Sequence, residues 1–536
     1  MKLTYEGLKD RASWEAAGIE LPSYDPAELS ERTKKAPVWV HFGIGNIFRI
    51  FLGGAADTLI RKGLLAKGIT CAETFDLDIV DKIYDPFDNL VMAVTLHEDG
   101  RIDKKVLGSL SEAVKATPAD VPSWERMKEI FRDPGLQMVS FTITEKGYAL
   151  HSPEGGYLAF AKKDMENGPV AVSGAMGVVA ELLFERFKAG AAPLALVSMD
   201  NVSQNGKKLR ESVFEVAEAW KNNGFVGEDF LAYVEDGRKI SFPWSMIDKI
   251  TPRPSEDVLK VLTKDGVEDM DPVVTSRHTY IAPYANAEGP QYLVVEDDFP
   301  NGRPPLEEAG IYMTDRETVN KSERMKVTVC LNPIHTALCS YDALLGYYLF
   351  ADGMKDPELD KLARKLGYQE GLPVVEDPGI LSPRAFIDEL MAVRFTNPYL
   401  GDTTARICVD MSQMVGIRFG ETVKAYMERE GTAKDLVAIP LAIAGWIRYL
   451  MAVDDKGEPI ELSPDPMIPY LKEQIAGINL GDPDSVGEKL RPLLSNKIIF
   501  GVDYYEAGLG EKIETMVREE IAGPGAVRAT LKKYLA

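Results

Sequence analysis

The segment Val38–Gly63, "VWVHFGIGNIFRIFLGGAADTLIRKG", decides the fold class. An apolar run typical of a buried strand leads through Gly43 and Gly45 into a helical pattern. Glycines there let the backbone turn tightly and approach a pyrophosphate, whose charge is met by the helix N-terminus. The segment therefore predicts the start of a Rossmann-type domain, with Phe48 and Arg49 as further cofactor contacts. Because the third glycine of the usual fingerprint is missing, a purely structural turn and a solvent-exposed arginine remain alternatives.

The next apolar run, "GITCAETFD", indicates which dinucleotide the domain binds. An acidic residue at the end of the second strand accepts hydrogen bonds from the ribose hydroxyls of NAD and repels the extra phosphate of NADP. Glu73 and Asp76 both qualify, although Asp76 could instead cap the following helix. No basic neighbour is present to bind a 2′-phosphate. We therefore expect NAD as cofactor, with NADP less favoured.

The order of strand and helix patterns predicts an α/β chain with two domains. Short β-rich runs alternate with helical stretches in the first half: "PVWVHFG", "GITCAETF", "LVMAVTL", "LQMVSFTITE" and "PLALVSMDN". Such alternation implies βαβ units and a mostly parallel sheet with helices on both faces. After the proline-rich connector "DDFPNGRPPLEEAG" the patterns are helical almost to the end. We predict a Rossmann-type domain over 1–315 and a mainly α-helical substrate and catalytic domain over 316–536.

Composition excludes several classes of partner. The chain has 536 residues, of which 45% are hydrophobic, and a net charge of −22. An acidic surface disfavours nucleic acid and anionic membranes. The longest apolar run, 436–447, is too short to span a bilayer and is predicted to be a buried helix. Four scattered cysteines and a charged N-terminus indicate a cytoplasmic protein, expected to be a monomer or a small homo-oligomer.

A second segment, Met325–His335, "MKVTVCLNPIH", carries three polar side chains in an apolar run. Pro333 breaks or kinks a helix, and Asn332 and His335, three residues apart, share one face. Reduction of a carbonyl by hydride needs a proton donor and dipoles that stabilise the developing alkoxide. Lys326 can be the donor, and the Asn332 carboxamide can supply the dipole. A snorkelling lysine, a capping asparagine and a core histidine are the structural alternative.

Other motifs, present or absent, indicate which classes of reaction the protein can catalyse. The strand "LALVSMDN" ends in Asn201, and carboxyl ends of parallel strands face the ligand crevice, although asparagine is also a common turn residue. The five histidines contain no pair at i, i+3 or i+4 spacing, so a metal site is not expected. No GxSxG or GxxxxGK[ST] motif is present. These observations argue against hydrolase and kinase chemistry.

From about Val38 to Leu450 and beyond, the chain resembles the polyol-specific long-chain dehydrogenase/reductase family. The matching blocks are "HFGIGNIFR", "TITEKGY", "SMDNVSQNGKKLR", "FPWSMIDKITP", "VVEDDFPNGRPPLEEAG", "ERMKVTVCLNPIHTAL", "TNPYLGDTTARICVDMS" and "AGWIRYL". The resemblance implies a Rossmann-type domain followed by a helical domain, an NAD(P) cofactor and no metal. By resemblance, the catalytic and substrate-orienting groups of the family fall on five residues: Lys326, Asn201, Asn332, His335 and Glu323. Two further positions, Glu145 and Asp248, match residues that line the cleft for cofactor and substrate.

Three positions depart from the family pattern. The family has four residues between its lysine and asparagine, whereas five separate Lys326 from Asn332. One extra residue turns the lysine by about 100° unless a π-bulge absorbs it. Phe51 replaces the final histidine of the "GNFHRAH" block. Met414 replaces a lysine of the mannitol dehydrogenases, so one substrate contact of the polyol enzymes is lost.

Arginines in the second half point to an acidic substrate. Arg394, Arg406 and Arg418 fall in matching blocks, and an arginine fork binds a carboxylate through two parallel hydrogen bonds. Surface or ion-pair arginines are the alternative. The hypothesis is reduction of D-fructuronate to D-mannonate with Lys326 as general acid/base. A tagaturonate reductase, a mannitol or polyol 2-dehydrogenase, and a non-catalytic NAD-binding regulator remain open.

Overall fold

The computed structural model describes all 536 residues, Met1–Ala536. Backbone contacts divide the chain into two compact units, Met1–Asn320 and Lys321–Ala536. The first unit contains all the strands and the second is built of helices. The predicted fold class, a Rossmann-type α/β domain followed by a mainly helical domain, is therefore confirmed.

The first unit contains fifteen strands. In chain order they are β1 (Ile19–Glu20), β2 (Trp39–Phe42), β3 (Ile69–Glu73), β4 (Val91–Leu96), β5 (Ile102–Leu107), β6 (Leu110–Lys115), β7 (Met138–Phe141), β8 (Leu194–Ser198), β9 (Ile240–Ser241), β10 (Ser245–Asp248), β11 (Val273–Val274), β12 (Tyr280–Ile281), β13 (Tyr284–Glu288), β14 (Tyr292–Glu296) and β15 (Tyr312–Thr314).

The α-helices are numbered along the whole chain. Those that begin in the first unit are α1 (Arg11–Ala16), α2 (Pro26–Lys35), α3 (Gly53–Arg61), α4 (Val121–Arg132), α5 (Thr144–Tyr148), α6 (Ala159–Asn167), α7 (Ala175–Lys188), α8 (Asn205–Asn222), α9 (Glu228–Glu235), α10 (Glu256–Lys264) and α11 (Arg316–Met325). Those of the second unit are α12 (Asn332–Leu345), α13 (Phe350–Gly353), α14 (Pro357–Arg364), α15 (Pro383–Glu389), α16 (Thr404–Ile407), α17 (Met411–Val415), α18 (Glu421–Glu430), α19 (Ala438–Tyr449), α20 (Ile468–Gln474), α21 (Arg491–Leu494), α22 (Lys497–Phe500), α23 (Gly510–Glu520) and α24 (Ala526–Tyr534).

A six-stranded parallel sheet forms the centre of the first unit. Its strand order is β6-β3-β2-β7-β8-β9, and every residue of β2, β3, β7 and β8 is buried. Successive side chains of a strand point to opposite faces. Accordingly, Val40 and Phe42 belong to one hydrophobic cluster, whereas Trp39 belongs to another. Apolar cores on both faces explain why these strands are continuous apolar runs rather than alternating ones.

Strand β4, although predicted as a strand, lies outside the parallel sheet. It belongs to a four-stranded sheet of order β1-β5-β4-β13, where it pairs antiparallel with β5 and parallel with β13. The link between β4 and β5 is a short turn in which the His97 N–H donates to the carbonyl oxygen of Arg101. A turn this short joins antiparallel strands only, since a parallel pair needs a long crossover.

Two smaller sheets complete the first unit. Strands β10, β14 and β15 form a three-stranded sheet, and β11 pairs with β12 as a hairpin. Strand β10 follows β9 closely and ends at Asp248. The hairpin carries residues 275–279 at its tip, next to the loop that follows β3.

Helix α19 is the most deeply buried helix of the second unit. All twelve of its residues are buried, as predicted for the apolar run 436–447. The Glu370 carboxylate accepts hydrogen bonds from the N–H groups of Val437, Ala438 and Ile439 at 2.6–3.0 Å. This carboxylate satisfies donors that a helix N-terminus leaves unpaired. No helix of the chain is both long and apolar enough to cross a membrane.

Several helices contain a wide π turn. The π segments are Phe48–Leu52, Val80–Tyr84, Lys326–Cys330, Lys365–Gly371, Leu390–Arg394 and Gly416–Gly420. Single π turns in helices are often found at functional sites. Three of these six segments carry or adjoin candidate site residues of the second unit.

Candidate active site

The turn after β2 passes through two glycines in different environments. Gly43 has φ +88°, and a side chain there would collide with the carbonyl oxygen of Thr142. At Gly45 a Cβ atom would meet no atom within 4 Å, so the backbone borders open space. The helix that follows has unpaired N–H groups in its first turn, as every helix does. The turn therefore leaves room for an anionic group at a helix N-terminus.

The Glu73 carboxylate binds backbone N–H groups of the two loops around this turn. Its Oε1 accepts hydrogen bonds from the N–H groups of Thr74, Phe75 and Asp76 at 2.9–3.2 Å, and its Oε2 accepts one from Ile44 at 3.3 Å. Burial raises the pKa of Glu73, and the four backbone donors oppose that rise. The carboxylate predicted to bind ribose hydroxyls thus also orders the loop that follows β3.

Asp76 is also engaged within the protein. It is buried, and its Oδ2 accepts a 2.7 Å hydrogen bond from Thr275 Oγ1 on the β11–β12 hairpin. Its Oδ1 is buried without a protein partner. Asp76 makes no side-chain cap on the following helix, so that alternative is wrong. Its main structural contact ties the hairpin to the end of β3.

Phe48 and Arg49 do not face a phosphate. The Phe48 ring is fully buried and stacks on the His41 ring, with centroids 4.0 Å apart. Arg49 is buried as well, and its guanidinium donates to the carbonyl oxygens of Ala282 and Tyr284 at 2.8 and 3.3 Å. These two candidates are corrected: both belong to the packing between the first helix and neighbouring strands. Buried core side chains, and not a phosphate-binding group, therefore occupy the position of the third glycine.

Asp200 organises the carboxyl ends of β7 and β8. Its carboxylate accepts hydrogen bonds from the N–H groups of Ile143 and Thr144 at 2.9 and 2.8 Å and from the Tyr148 hydroxyl at 2.5 Å. Burial raises the pKa of Asp200, and these donors counteract the rise. The next residue, Asn201, is exposed at the strand end. Its place at a ligand crevice stays a prediction.

Glu145 and Asp248 occupy different environments. Glu145 lies in α5, is exposed, and forms an ion pair with Lys208. Asp248 is the buried last residue of β10. The first residue of that strand, Ser245, is held by Asn205, whose Nδ2 donates to the carbonyl oxygen of Ser245 at 3.0 Å. Sequence reasoning missed Asn205, which fixes the start of β10 relative to the end of β8.

Lys326 begins the π segment that precedes α12. The N–H of Leu331 donates to the carbonyl oxygen of Lys326, five residues earlier, at 3.1 Å. Lys326 is only 2% exposed. A π turn therefore lies between Lys326 and Asn332, where the sequence predicted that a bulge could absorb an extra residue. Glu323, three residues before the lysine, is half-buried in α11.

Asn332 and His335 lie on the first turn of α12. Asn332 makes no capping hydrogen bond, and its Oδ1 is buried without a protein partner. The Nε2 atom of His335 is also buried without a hydrogen-bond partner and lies 3.9 Å from Asp402 Oδ2. Phe350 and Phe395 contact the imidazole, with ring centroids 4.5 and 4.9 Å away. Two buried polar atoms on the first turn of α12 thus have no hydrogen-bond partner in the protein.

Three arginines surround His335. Burial first, and then the charges of Arg394, Arg418 and Arg406, lower the pKa of His335 to about 3. Arg418 donates a hydrogen bond to Thr336 Oγ1, next to His335 in sequence, and burial lowers the pKa of Arg418 to about 10. Arg406 pairs with Asp402. The imidazole is therefore neutral in a cationic environment.

A small pocket opens beside this cluster within the second unit. Its lining includes Phe350, Arg394, Asn397 and Asp402. Asp402 and Thr336 were not singled out from the sequence, although both lie within matching blocks, because neither residue type points by itself to a ligand contact. Asp402 was detectable only as an acidic residue four positions before Arg406. No group of three or more His, Cys, Asp or Glu side chains is arranged to hold a metal ion.

Comparison with known families assigns both halves of the chain. The sequence model described as "Mannitol dehydrogenase Rossmann domain" matches residues 37–307, and that described as "Mannitol dehydrogenase C-terminal domain" matches residues 318–519. The chain belongs to the mannitol dehydrogenase family. This membership, which the sequence resemblance predicted, makes the protein a dehydrogenase that acts on CH–OH groups.

Relatives and solved structures agree with this assignment to the mannitol dehydrogenase family. A protein of Thermotoga maritima named "D-mannonate oxidoreductase" is 51% identical over 538 residues, covering 100% of this chain and 99% of the relative. The structure of a D-sorbitol dehydrogenase in substrate-free form matches with a TM-score of 0.79 at 26% identity, covering 96% of this chain and 98% of that one. A Pseudomonas fluorescens mannitol 2-dehydrogenase, solved with NAD and D-mannitol, matches with a TM-score of 0.70 at 24% identity, covering 100% and 99%. This last likeness shows the fold.

Proposed function

We propose that the protein is an NAD-dependent, metal-independent oxidoreductase that interconverts D-fructuronate and D-mannonate. The observation that carries the proposal is the cluster of Arg394, Arg406 and Arg418 around His335: Asp402, which pairs with Arg406, lies 3.9 Å from His335 Nε2, and Arg418 donates to Thr336 Oγ1. The D-mannonate oxidoreductase name of the relative with 51% identity supports the same substrate class.

The arginine cluster favours a sugar acid over a neutral sugar. A net charge of −22 repels anionic substrates from the surface. Local guanidinium groups overcome that repulsion and can bind a carboxylate through paired hydrogen bonds. A polyol such as mannitol has no charge to match them. Met414, in place of a lysine that polyol enzymes carry, is consistent with a different substrate end group.

NAD is the proposed cofactor, and NADH supplies the hydride for reduction of the ketone. Gly43 shapes the turn, Gly45 leaves the open space, and the first helical turn offers N–H groups for the pyrophosphate. Glu73 keeps the loop in this shape through its four backbone hydrogen bonds. In this proposal these residues bind the cofactor, and the Arg49 guanidinium makes no ion pair with its phosphates.

Lys326 is the proposed proton donor. Its ammonium group gives a proton to the oxygen that becomes an alkoxide as the ketone is reduced. The carboxamide of Asn332, two residues after the π segment, stabilises the charge on that oxygen. His335 is neutral, so it orients a substrate hydroxyl by hydrogen bonding rather than by charge. Four further site residues are proposed. Asn201 supplies a second carboxamide, and Glu323 relays protons. The cleft for cofactor and substrate is lined by Asp248 and Glu145.

No metal is proposed to take part, because no three metal-ligating side chains lie together. A buried lysine and carboxamides are sufficient to donate a proton and to stabilise an alkoxide. A cytoplasmic location is also proposed, since all four cysteines are buried free thiols.

Purified protein assayed with NADH against D-fructuronate, D-tagaturonate and D-fructose tests the function. The expected result is kcat/KM for fructuronate at least tenfold above that for the other two ketoses, unchanged by dialysis against EDTA. Faster turnover of fructose, or of mannitol with NAD, would reject the sugar-acid proposal. Preference for tagaturonate would keep the substrate class and change the epimer.

A further inference from the structure

Two consecutive N–H groups after β7 point at one carboxylate. Ile143 has φ −106° and ψ 6°, near the right-handed helical region, and Thr144 has φ +64°. This sequence of conformations directs successive N–H groups toward one point, a nest that binds an anion. The anion here is the Asp200 carboxylate, which accepts hydrogen bonds from Ile143 and Thr144 at 2.9 and 2.8 Å. The protein thus fills this nest with its own side chain.

The backbone of Thr144 is strained. A β-branched residue with positive φ is a genuine outlier, because its Cβ crowds the neighbouring backbone. Strained residues persist where the surrounding structure holds them, and they cluster at functional sites. Asp200 provides such a hold from the neighbouring strand, since β7 and β8 are paired as far as Phe141 and Ser198. Without the carboxylate charge, the loop after β7 loses the acceptor that stabilises its strained conformation.

A third donor fixes the carboxylate itself. The Tyr148 hydroxyl lies 2.5 Å from Asp200 Oδ2 and 2.7 Å from Ser198 Oγ. An ionised carboxylate only accepts, so the Tyr148 hydroxyl donates to Asp200 and accepts from the Ser198 hydroxyl. Asp200 is buried. Burial raises its pKa, and the hydrogen bond from Tyr148 and those of the nest oppose that rise.

The main chain of Asp200 fixes the turn that contains Asn201. The Asp200 carbonyl oxygen accepts hydrogen bonds from the Val202 N–H at 2.8 Å and from Asn205 Nδ2 at 3.0 Å. The Asn205 Oδ1 atom accepts a further bond from the Ser245 N–H at 3.0 Å, which ties the turn to β10. Asp200 is therefore held by its carboxylate on one side and by its carbonyl on the other. Together these bonds set the direction of the backbone at Asn201.

We propose that Asp200 is a positioning residue, whose carboxylate in the nest of Ile143 and Thr144 sets the direction in which Asn201 presents its carboxamide. The inference rests on the proposed function in one respect, which is that Asn201 stabilises the developing alkoxide. Asp200 itself touches no reacting atom. Its effect on the rate therefore passes through Asn201.

Amide hydrogen exchange of the full chain, measured by mass spectrometry without substrate, tests the nest. Asp200→Asn keeps the shape of the side chain, removes its charge and turns an NH₂ donor toward one of the two N–H groups. We expect exchange to become about tenfold faster or more in peptides that cover residues 143–148 and 200–205. This readout does not depend on any activity.

A double-mutant cycle with fructuronate and NADH tests whether Asp200 acts through Asn201. Asn201→Ala alone should lower kcat by about 10²- to 10³-fold, as loss of one oxyanion donor does. Asp200→Asn alone should lower kcat by about thirtyfold or more with little change in KM, because the lost interaction belongs to the transition state. In the Asn201→Ala background the same substitution should cost less than about threefold, since coupled residues are not additive.

Thr144→Gly is the rescue variant. Glycine adopts positive φ without strain. In the Asp200→Asn background, the loop after β7 can then keep its conformation without the carboxylate. We expect Thr144→Gly to recover about fivefold of the lost kcat. A defect in general stability would not be relieved by this substitution.

Asp164→Asn is the matched control. The Asp164 carboxylate is buried in the same unit and accepts hydrogen bonds from the N–H groups of Ser173 and Gly174 at 2.8 and 2.7 Å. It orders the segment before α7 and not the strand ends. This variant should change kcat by less than about threefold, and by the same factor with or without Asn201→Ala, as expected for independent sites.

Four outcomes would overturn the proposal. They are unchanged exchange in Asp200→Asn, equal losses from Asp200→Asn with and without the Asn201 side chain, no recovery by Thr144→Gly, and an unchanged kcat in Asn201→Ala. If the wild type does not turn over fructuronate but exchange changes as expected, the proposed function is rejected and the nest is retained.

Discussion

The N–H of Leu331 donates a hydrogen bond to the carbonyl oxygen of Lys326, five residues earlier in the chain. This bond closes the π segment Lys326–Cys330, at the place where the sequence resemblance implies one residue more than the family spacing. In a regular helix an added residue turns every preceding side chain by about 100°. A π turn holds one residue more than an α turn, so we expect it to absorb the added residue and to keep Lys326 directed as the family spacing would.

Deleting Val327 should convert this π turn to an α turn and restore the family spacing. We expect kcat to remain within about tenfold of the wild-type value, because the helices on both sides keep their registers. Inserting one alanine after Val327 should instead lower kcat by about a hundredfold or more, as misplacement of a reacting group does. Steady-state kinetics of both variants check this. Equal losses in the two variants would contradict the role given to the π turn.

Replacing Lys326 with alanine should remove the proton donor. We expect kcat for fructuronate reduction to fall by about 10²- to 10⁴-fold, the range typical of general acid catalysis. The Kd for NADH should change less than threefold. Lys355→Ala, which removes an exposed lysine paired with Asp352 in the same unit, is the control. A loss of only a few-fold would assign the proton to another group.

Replacing Arg406 with alanine should weaken binding of the substrate carboxylate. Asp402, which pairs with Arg406, would then present an uncompensated negative charge beside His335. We expect KM for fructuronate to rise about 10- to 100-fold, since charge-assisted hydrogen bonds contribute roughly 1.5–3 kcal/mol. The kcat/KM for fructose should change little. The control is Arg384→Ala, which removes an exposed arginine that lies over Tyr368. It should leave the kinetic constants for both substrates unchanged. A similar rise in KM for fructuronate in this control would show that the effect comes from the loss of any positive charge.

Replacing His335 with asparagine should lower kcat/KM without moving the pH profile. Burial and the charges of the three arginines lower the pKa of His335 to about 3, so the imidazole does not titrate between pH 5 and 9. A hydrogen-bonding asparagine should retain more activity than alanine. Initial rates from pH 5 to pH 10 check this. Disappearance of an acidic limb in the variant would show that His335 does titrate.

His41 should make the protein less stable in acid. Its ring bonds to Ser140 Oγ at 2.6 Å and Thr142 Oγ1 at 2.8 Å, and burial lowers its pKa to about 3. Because the folded-state pKa lies below the unfolded value of about 6.5, stability is fully present above pH 6.5 and is lost as pH falls toward 3. At pH 5 the loss from this one group is about 2 kcal/mol.

Urea unfolding at pH 7.5 and pH 5.0 measures that loss. His41→Gln should be less stable than wild type at pH 7.5 but should lose less free energy of unfolding on acidification. His151→Gln, which changes an exposed histidine beside Glu215, should keep the wild-type pH dependence. Identical pH dependence in wild type and His41→Gln would contradict the assignment.

The fold was predictable because its signals are local. The strand–glycine–helix segment beginning at Val38 and the apolar periodicity of the second half together specify the α/β and helical units. Strand β4 was predicted as a strand but not in its own sheet, because its partner is decided by the short turn to β5. Pairing between strands depends on contacts that no single run of residues encodes.

The site was predictable only in part, for a physical reason. The segment from Lys326 to His335 was recognisable from the sequence because polar residues and a proline interrupt an apolar run. Arg49 and Glu73 had the right type and position to touch a cofactor, yet backbone groups occupy both side chains. Whether a charged group binds a ligand or a neighbouring loop depends on a few ångströms of backbone placement. Likewise, Asp402 joins the site through folding and not through spacing.

Helix α19 has a consequence for how the chain is made. Its twelve buried residues are covered partly by α23, which begins at Gly510, about sixty residues later. At about 5–20 residues per second, a ribosome needs roughly 3–12 s to synthesise the intervening chain. During that interval a largely apolar segment emerges without this part of its cover. The nascent polypeptide therefore exposes apolar surface that chaperones can bind. A chain terminated before Gly510 would keep this surface exposed and would aggregate.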